Sequence, residues 1–328
     1  DFGIGTYIRG LLGGLLELGM PDEYVAFAPA DARLPAGIEH VVVNAPHYSA
    51  RELVVIGRAA DRARLDVFHA PHYVVPFTRV PVVVTIHDLI HLHQPQRNPL
   101  APIYARAMIT RAIRKARVVL TVSEAVKREL ESELGAKNVI VTPNGVAPAA
   151  LGRRPVTPTF LYVGNDKPHK NVETLVNALA LAPNITLTLA GAPFARFRER
   201  ERVTIAGFVD DLAPLYDSAI ALVMPSVEEG FGLPALEAMA RGVPVITSNA
   251  AALLEVTGDA ALHFDARDAR ALADVMTRVA NDASLRAEMS ARGVERARLF
   301  TWKRCAESTR KAYEIVEHRG TSGAELRF

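Results

Sequence analysis

The stretch "AIALVMPSVEEGFGLPALEAMARGVPVITS", residues 219–248, packs a strand, a helix and a second strand into one short run. Residues 219–226 and 243–248 are apolar and rich in branched side chains, the mark of strands buried on both faces. Between them Pro234 suits the first helical position, where its missing N–H has no helical partner to lose. Leu236, Met239 and Ala240 fall on one inward stripe, and Gly242 closes the helix. A strand–helix–strand unit of this kind belongs to a parallel sheet. Three carboxylates, Glu228, Glu229 and Glu237, crowd the start of its helix.

The same alternation extends in both directions. Runs 39–43, 65–70, 81–87, 116–123 and 138–145 read as buried strands, and 4–18, 49–63, 99–115 and 124–134 as helices. The pattern pauses over "GVAPAALGRRPVTP" (145–158), a linker by composition. It restarts with strands at 159–164, 185–191, 202–209, 219–226 and 243–248. Helices are expected at 169–181, 210–217, 233–241, 268–280 and 283–298. The fold class is therefore α/β, with two Rossmann-like doubly wound domains in series over 1–150 and 151–300. A last helix from Trp302 to His318, in the segment 301–328, is expected to return toward the first domain, followed by a polar end.

Two places read as short. "DFGIGTYIRG" opens with a glycine turn that normally follows a strand, so a first strand is expected before Asp1. Segment 190–208 leaves little room for a helix between its strands, so residues are expected to be missing near 192–202.

Composition narrows the classes. Lys+Arg is 38 against Asp+Glu 36, a net charge of +2, which gives no reason to expect nucleic acid. The one cysteine, Cys305, excludes an intrachain disulfide and a multi-cysteine metal site. A cytoplasmic location is the expectation, and no apolar run is long enough to span a membrane.

The helix after Gly232 offers an anion site. Its first N–H groups, expected to be those of Ala235 and Leu236, lack helical partners and point at the positive end of the helix dipole. Glutamates beside a phosphate cannot ligate it, but ionised carboxylates accept from hydroxyls. A ligand with phosphate in the middle and hydroxyls at both ends fits, and a nucleotide-sugar has that layout. The plainer reading is that Glu228 and Glu229 cap a helix end and Glu237 is solvated.

The full string "PSVEEGFGLPALEAMARGVPVITS" resembles the signature of the retaining glycosyltransferases of family four, with its two glutamates separated by seven residues. "FLYVGNDKPHKNVETLVNALA" (160–180) is similar to the family's glycine turn and lysine. "TIHDLIH" (85–91), "VLTVSEAVKREL" (119–130) and "VTPNGV" (141–146) are similar to stretches of its acceptor domain. The mannosyltransferase-like members that build bacterial polysaccharides are the nearest in pattern.

The resemblance implies the two-Rossmann glycosyltransferase B fold, with two domains facing a central cleft. Glu229 would hold sugar hydroxyls and Glu237 the ribose. The backbone of Gly230, Phe231, Gly232 and Leu233 would meet sugar and diphosphate. Lys170 would meet the diphosphate, beside Gly164 and Asn165. His87 would sit near the reacting sugar carbon, and Gly3 and Gly5 would approach the diphosphate from the other side. Catalysis would rest on His87, Glu229 and Lys170. Where many members carry an arginine after the "VG" turn, this chain has Asn165, and Lys167, Arg196 or Arg198 would have to substitute.

No Asp-x-Asp pair occurs for Mg²⁺, so no metal and no cofactor are expected. The departing diphosphate would be met by Lys170 and a helix N-terminus. His87, His91 and His93 lie close in sequence, but "PVVVTI" puts His87 at a strand end, where open α/β sheets bind ligands, rather than in a zinc site. The implied reaction is transfer of a hexose, with GDP-mannose expected and UDP-glucose second, to a polysaccharide or lipid-linked glycan, by a front-face mechanism. A nucleotide-sugar 2-epimerase and a non-catalytic nucleotide-sugar-binding subunit share the architecture. The basic helix over 99–117 suits either a charged outer face or peripheral contact with the inner face of a membrane.

Overall fold

The structure is a computed structural model, and it describes residues 2–44, 49–94, 100–151 and 158–321. Residues 152–157 of the linker expected over 145–158, residues 45–48 and 95–99, and the end from 322 lie outside the described residues.

The chain divides into two compact units. One is Asp1–Gly145 together with Trp302–Phe328, and the other is Val146–Thr301. In chain order the first contains α1 (Phe2–Glu17), β1 (Val25–Ala28), β2 (Glu39–Val42), α2 (Ala50–Ala63), β3 (Phe68–Ala70) and β4 (Val82–Ile86). These are followed by α3 (Ile90–His93), α4 (Ala101–Lys115), β5 (Val118–Thr121), α5 (Glu124–Leu134) and β6 (Val139–Val141). The second contains β7 (Thr159–Val163), α6 (Val172–Leu181), β8 (Thr186–Ala190), β9 (Val203–Gly207), α7 (Ala213–Ser218), β10 (Ala221–Met224) and α8 (Leu233–Ala240). It ends with β11 (Val245–Ser248), α9 (Ala251–Thr257), β12 (Ala261–Phe264), α10 (Ala269–Asn281) and α11 (Ala283–Ala297). The last helix, α12 (Trp302–Thr321), rejoins the first unit.

All described strand pairs are parallel. β3-β4-β5-β6 form one sheet, and β1 pairs with β2. The second unit's sheet has the order β12-β11-β10-β7-β8-β9. Its chain enters in the middle at β7, runs outward through β8 and β9, and then returns to the other side of β7 as β10. The sense of winding thus reverses between β7 and β10, and open α/β sheets bind ligands beyond the strand ends at such a point.

Strand alternation sorts the side chains to two faces. Ala221 and Val223 of β10 join a buried cluster with Leu175 of α6 and Met276 of α10. On the opposite face α8 is packed so closely by α11 that a Cβ on Gly293 would lie 3.3 Å from Met239 Cγ. In the first unit α12 lies on α1, where Tyr7, Leu11 and Leu15 repeat every four residues against Cys305 and Ala306. The approach needs glycine: a Cβ on Gly10 would come within 2.1 Å of the Trp302 indole.

Four elements have no counterpart in the sequence reading: β1, α3, α9 and β12. All are short, and β12 is a half-buried edge strand without clean alternation. The helix expected at 4–18 begins at Phe2, so Gly3 and Gly5 are helical residues and not a turn. Helix α12 runs past His318 to Thr321. Between β8 and β9 the connection is made without an α-helix. A 3-10 turn, Ala195–Phe197, is anchored by the buried Phe194 and Phe197.

Candidate active site

In the second unit, two loops leave the adjacent strands β7 and β10 and are stitched together. After β7 the chain turns at Gly164, whose N–H donates to Ala190 at 2.9 Å. A side chain there has no room, since a Cβ would lie 2.6 Å from the Tyr162 hydroxyl. That hydroxyl donates to the Asn165 carbonyl at 2.8 Å, and the Asn165 Oδ1 accepts from the Lys167 N–H at 3.1 Å. A 3-10 turn, Pro168–Lys170, then delivers Lys170. Asn171, left-handed at φ 54°, donates through Nδ2 to the Pro225 carbonyl at 2.9 Å and to the Ala266 carbonyl at 2.7 Å. The Val227 N–H donates to the His169 carbonyl at 2.8 Å. Ser248 donates to the Ser226 carbonyl.

These ties bring Lys170 onto Glu229. The ammonium donates to Oε1 at 2.7 Å and Oε2 at 2.9 Å, and Ser226 Oγ donates to Oε1 at 2.7 Å. The side chains are 19 % and 8 % exposed, so the pair is largely withdrawn from water and each charge depends on the other. An ammonium has three donors, which leaves one for a ligand.

The loop then passes through Gly230 and Phe231 into α8. The phenyl of Phe231 is buried, 5.9 Å edge-on from Phe300, so this residue offers its backbone and not its ring. Gly232 has φ 105°, and a Cβ on it would lie 2.6 Å from Leu253 Cδ2. The expected anion cradle shifts here. The N–H groups of Ala235 and Leu236 both donate to the Gly232 carbonyl, at 3.0 and 3.3 Å, so they are not available. The tight first turn, with Pro234 second in the helix and not first, accounts for this. The N–H groups of Phe231, Gly232 and Leu233 are instead the ones without partners among the described residues.

Glu237, one turn into α8, is neither solvated nor a cap. Tyr216 donates to its Oε2 at 2.8 Å. Burial raises its carboxyl above the usual value, opposed by the Tyr216 bond and the nearby Arg241 charge. Nothing in the sequence singles out Tyr216, because "LYDS" has the look of any core-facing helix turn. Asn171 and Ser226 carry no local signal of their role either. Among the substitutes proposed for the absent arginine, Arg196 is occupied: it donates to both Asp166 oxygens, at 2.8 and 2.6 Å, and to Glu173 at 2.9 Å. Lys167 and Arg198 are exposed.

In the first unit, His87 lies just beyond the end of β4. A carbonyl only accepts, so Nε2 carries the proton it donates to Pro71 at 3.0 Å, and Nδ1 is the acceptor. The Tyr7 ring meets His87 edge-on at 4.7 Å. Burial lowers His87 below the usual histidine range, and takes His69 and His72 down to about 3. His93 is instead engaged with Glu133, at 3.1 Å to each oxygen. Gly3 and Gly5 lie in the first turns of α1. A Cβ on Gly3 would meet nothing within 4 Å, and one on Gly5 only the Arg9 guanidinium at 3.3 Å.

Similarity to known proteins agrees with this architecture. Residues 3–150 match Glycosyltransferase Family 4, and residues 157–282 match Glycosyl transferases group 1. The chain is 30% identical over 283 residues to O-antigen chain mannosyltransferase B of Escherichia coli, covering 76% of this chain and 74% of the relative. It is 28% identical over 213 residues to O-antigen chain mannosyltransferase RfbU of Salmonella typhimurium, covering 60% of each chain. Among solved structures, sucrose-phosphate synthase from Thermosynechococcus elongatus matches with a TM-score of 0.81 and 24% identity, over 96% of this chain and 93% of that one. With each unit matched and the relative from Escherichia coli similar over three quarters of its length, the chain belongs to glycosyltransferase family 4 and is an enzyme of that class.

Proposed function

We propose that the protein is a retaining, metal-independent mannosyltransferase that moves mannose from GDP-mannose to a growing polysaccharide or a lipid-linked glycan. The observation that carries this reading is the Lys170–Glu229 pair, set where the winding of the second sheet reverses and next to the unpaired amides of α8. The names of the two O-antigen relatives support mannose as the sugar.

In this reading the diphosphate takes the N–H groups of Phe231, Gly232 and Leu233 and the remaining Lys170 proton. The helix dipole adds to their field. Glu229 accepts from hexose hydroxyls, with the Gly230 backbone alongside, and Glu237 accepts from the ribose through the oxygen that Tyr216 leaves open. The base lies against the backbone of 207–209. In the first unit, His87 accepts a hydrogen bond from a sugar hydroxyl at Nδ1. The sugar–phosphate bond breaks as the acceptor oxygen attacks from the same face, and the acceptor's proton passes to the leaving phosphate oxygen. Lys170 and the amides stabilise charge that grows on the leaving group. Losing one such donor typically costs about 3–4 kcal/mol of barrier.

The enzyme would work at the cytoplasmic face of a membrane, with α4 as the peripheral contact. No helix among the described residues is long and apolar enough to cross a membrane. Ile103 and Tyr104 on α4 are 66% and 53% exposed, and Phe77 beside it is 56% exposed. Arg79, Arg111, Arg114 and Lys115 share a cavity with Phe77.

Thermal shift with a panel of nucleotide-sugars tests the donor. GDP-mannose at 100 times its Kd should stabilise the protein by about 2.7 kcal/mol. The shift should survive EDTA and be lost in Lys170→Ala. Equal behaviour with GDP-mannose, UDP-glucose and buffer, or a shift abolished by EDTA, rejects the assignment.

A further inference from the structure

Beyond the donor loops, the first unit buries a polar chain that the proposed chemistry does not use. Thr85 Oγ1 lies 2.9 Å from the Tyr7 hydroxyl and 2.8 Å from His69 Nε2. His69 Nδ1 lies 2.7 Å from the Tyr313 hydroxyl. Four elements therefore meet at one strand end: Tyr7 from α1, His69 from β3, Thr85 from β4 and Tyr313 from α12. Tyr7 and Thr85 have no exposed surface at all. Polar groups buried this deeply are costly unless every member is satisfied, and here the hydrogen bonds run unbroken from Tyr7 to Tyr313.

The position of the chain relative to His87 gives it a purpose. Thr85 of β4 is two residues before His87, which follows the strand directly, and His69 is two residues before Pro71. His87 is held from two sides, by the Pro71 carbonyl on Nε2 and by the edge contact of the Tyr7 ring. Each of these supports leads back to one atom. Tyr7 is pinned directly by Thr85 Oγ1, and the segment carrying Pro71 is pinned through His69. A hydroxyl both donates and accepts, so threonine can serve both neighbours, whereas valine, with the same shape, can serve neither.

We propose that Thr85 is the positioning residue for His87, acting through Tyr7 and His69 to fix the ring's orientation and its Nε2–H tautomer, with Tyr313 of α12 closing the frame. This rests on the reading that His87 acts at the reacting sugar, and the experiment separates the two. Reaction geometry tolerates little displacement: a misplacement of about 1 Å can cost about a hundredfold in rate.

The test uses the whole chain, labelled with ¹⁵N-histidine, as wild type, Thr85→Val, Thr85→Ser, His87→Ala and the Thr85→Val/His87→Ala double variant. Wild type should show a single Nε2–H imidazole pattern for His87. Thr85→Ser, which keeps the hydroxyl, should retain it. Thr85→Val should give mixed tautomers or broadened signals while its thermal unfolding remains cooperative. Release of GDP from GDP-mannose in water, with UDP-glucose as second probe, should fall about tenfold in Thr85→Val with donor KM little changed. The double variant should be no slower than His87→Ala alone, because residues acting through one another are not additive. An unaltered imidazole pattern in Thr85→Val, or losses that add in the double variant, overturns the positioning role. Undiminished hydrolysis in His87→Ala overturns the role given to His87 itself, whatever the spectra of Thr85→Val show.

Discussion

Glu237 is placed where burial opposes its charge while the Tyr216 hydroxyl favours it, and the balance raises its pKa. The sign of the consequence follows from linkage. A carboxyl whose folded pKa lies above its unfolded value binds protons more tightly when folded, so its contribution to stability is present below the unfolded pKa and is lost as pH rises through the folded one. Glutamine does not titrate and still accepts from Tyr216. Glu237→Gln should therefore melt higher than wild type at neutral pH, with the gap closing as the solution is acidified toward the usual carboxylate range. Donor binding should weaken by at least about tenfold, the usual scale for a hydrogen bond to a charged group. Melting below wild type at neutral pH, or unchanged donor affinity, would show that this acid is structural. At this scale the spacing of Glu229 and Glu237 and the lysine at 170 were legible in the sequence. The partners were not: Asn171 and Ser226 adjoin Lys170 and Glu229 in the chain but carry no pattern that announces their bonds, and nothing local marks Tyr216 of α7 as the core tyrosine that meets a buried acid.

Among the elements, α4 carries a division of character along one face. Ile103 and Tyr104 protrude in its first turns, and Arg111, Arg114 and Lys115 follow further along, with Arg79 and Phe77 alongside. No carboxylate pairs with Arg111, Arg114 or Lys115 among the described residues, and Asp61, the acid in the same cavity, is held by Thr78 and the Arg79 N–H. Apolar tips beside unpaired cations suit an anionic bilayer surface. Co-sedimentation should show binding to phosphatidylcholine vesicles that contain phosphatidylglycerol and not to phosphatidylcholine alone. The Arg114→Ala/Lys115→Ala variant should bind roughly thirtyfold more weakly, from about 1 kcal/mol per basic residue. Equal binding to both vesicles, or none, would remove the membrane from the account. Helix α8 shows the limit of reading an element from its pattern. Its extent and inward stripe were legible, but which amides remain open depends on how tightly the first turn closes on the Gly232 carbonyl, and periodicity does not carry that.

For the whole molecule, the alternation of strands and helices already gave two parallel-sheet units, and the family resemblance agreed. Strand order was not legible, because periodicity identifies a strand without saying which neighbour it pairs with. The reversal between β7 and β10, which marks the site, is a long-range property. The missed elements, β1, α3, α9 and β12, are too short to show a period. Helix α12 illustrates the opposite case: Gly10 and Gly14 looked unremarkable in a helical run, yet they are what lets Trp302 close on α1.

The most direct measurement is a crystal structure of the enzyme with GDP-mannose bound. The diphosphate should lie on the N–H groups of Phe231, Gly232 and Leu233 with Lys170 Nζ beside it, the mannose hydroxyls on Glu229 and the ribose on Glu237. A diphosphate bound away from the start of α8, or Glu229 and Glu237 without contact to the sugar and the ribose, would contradict it.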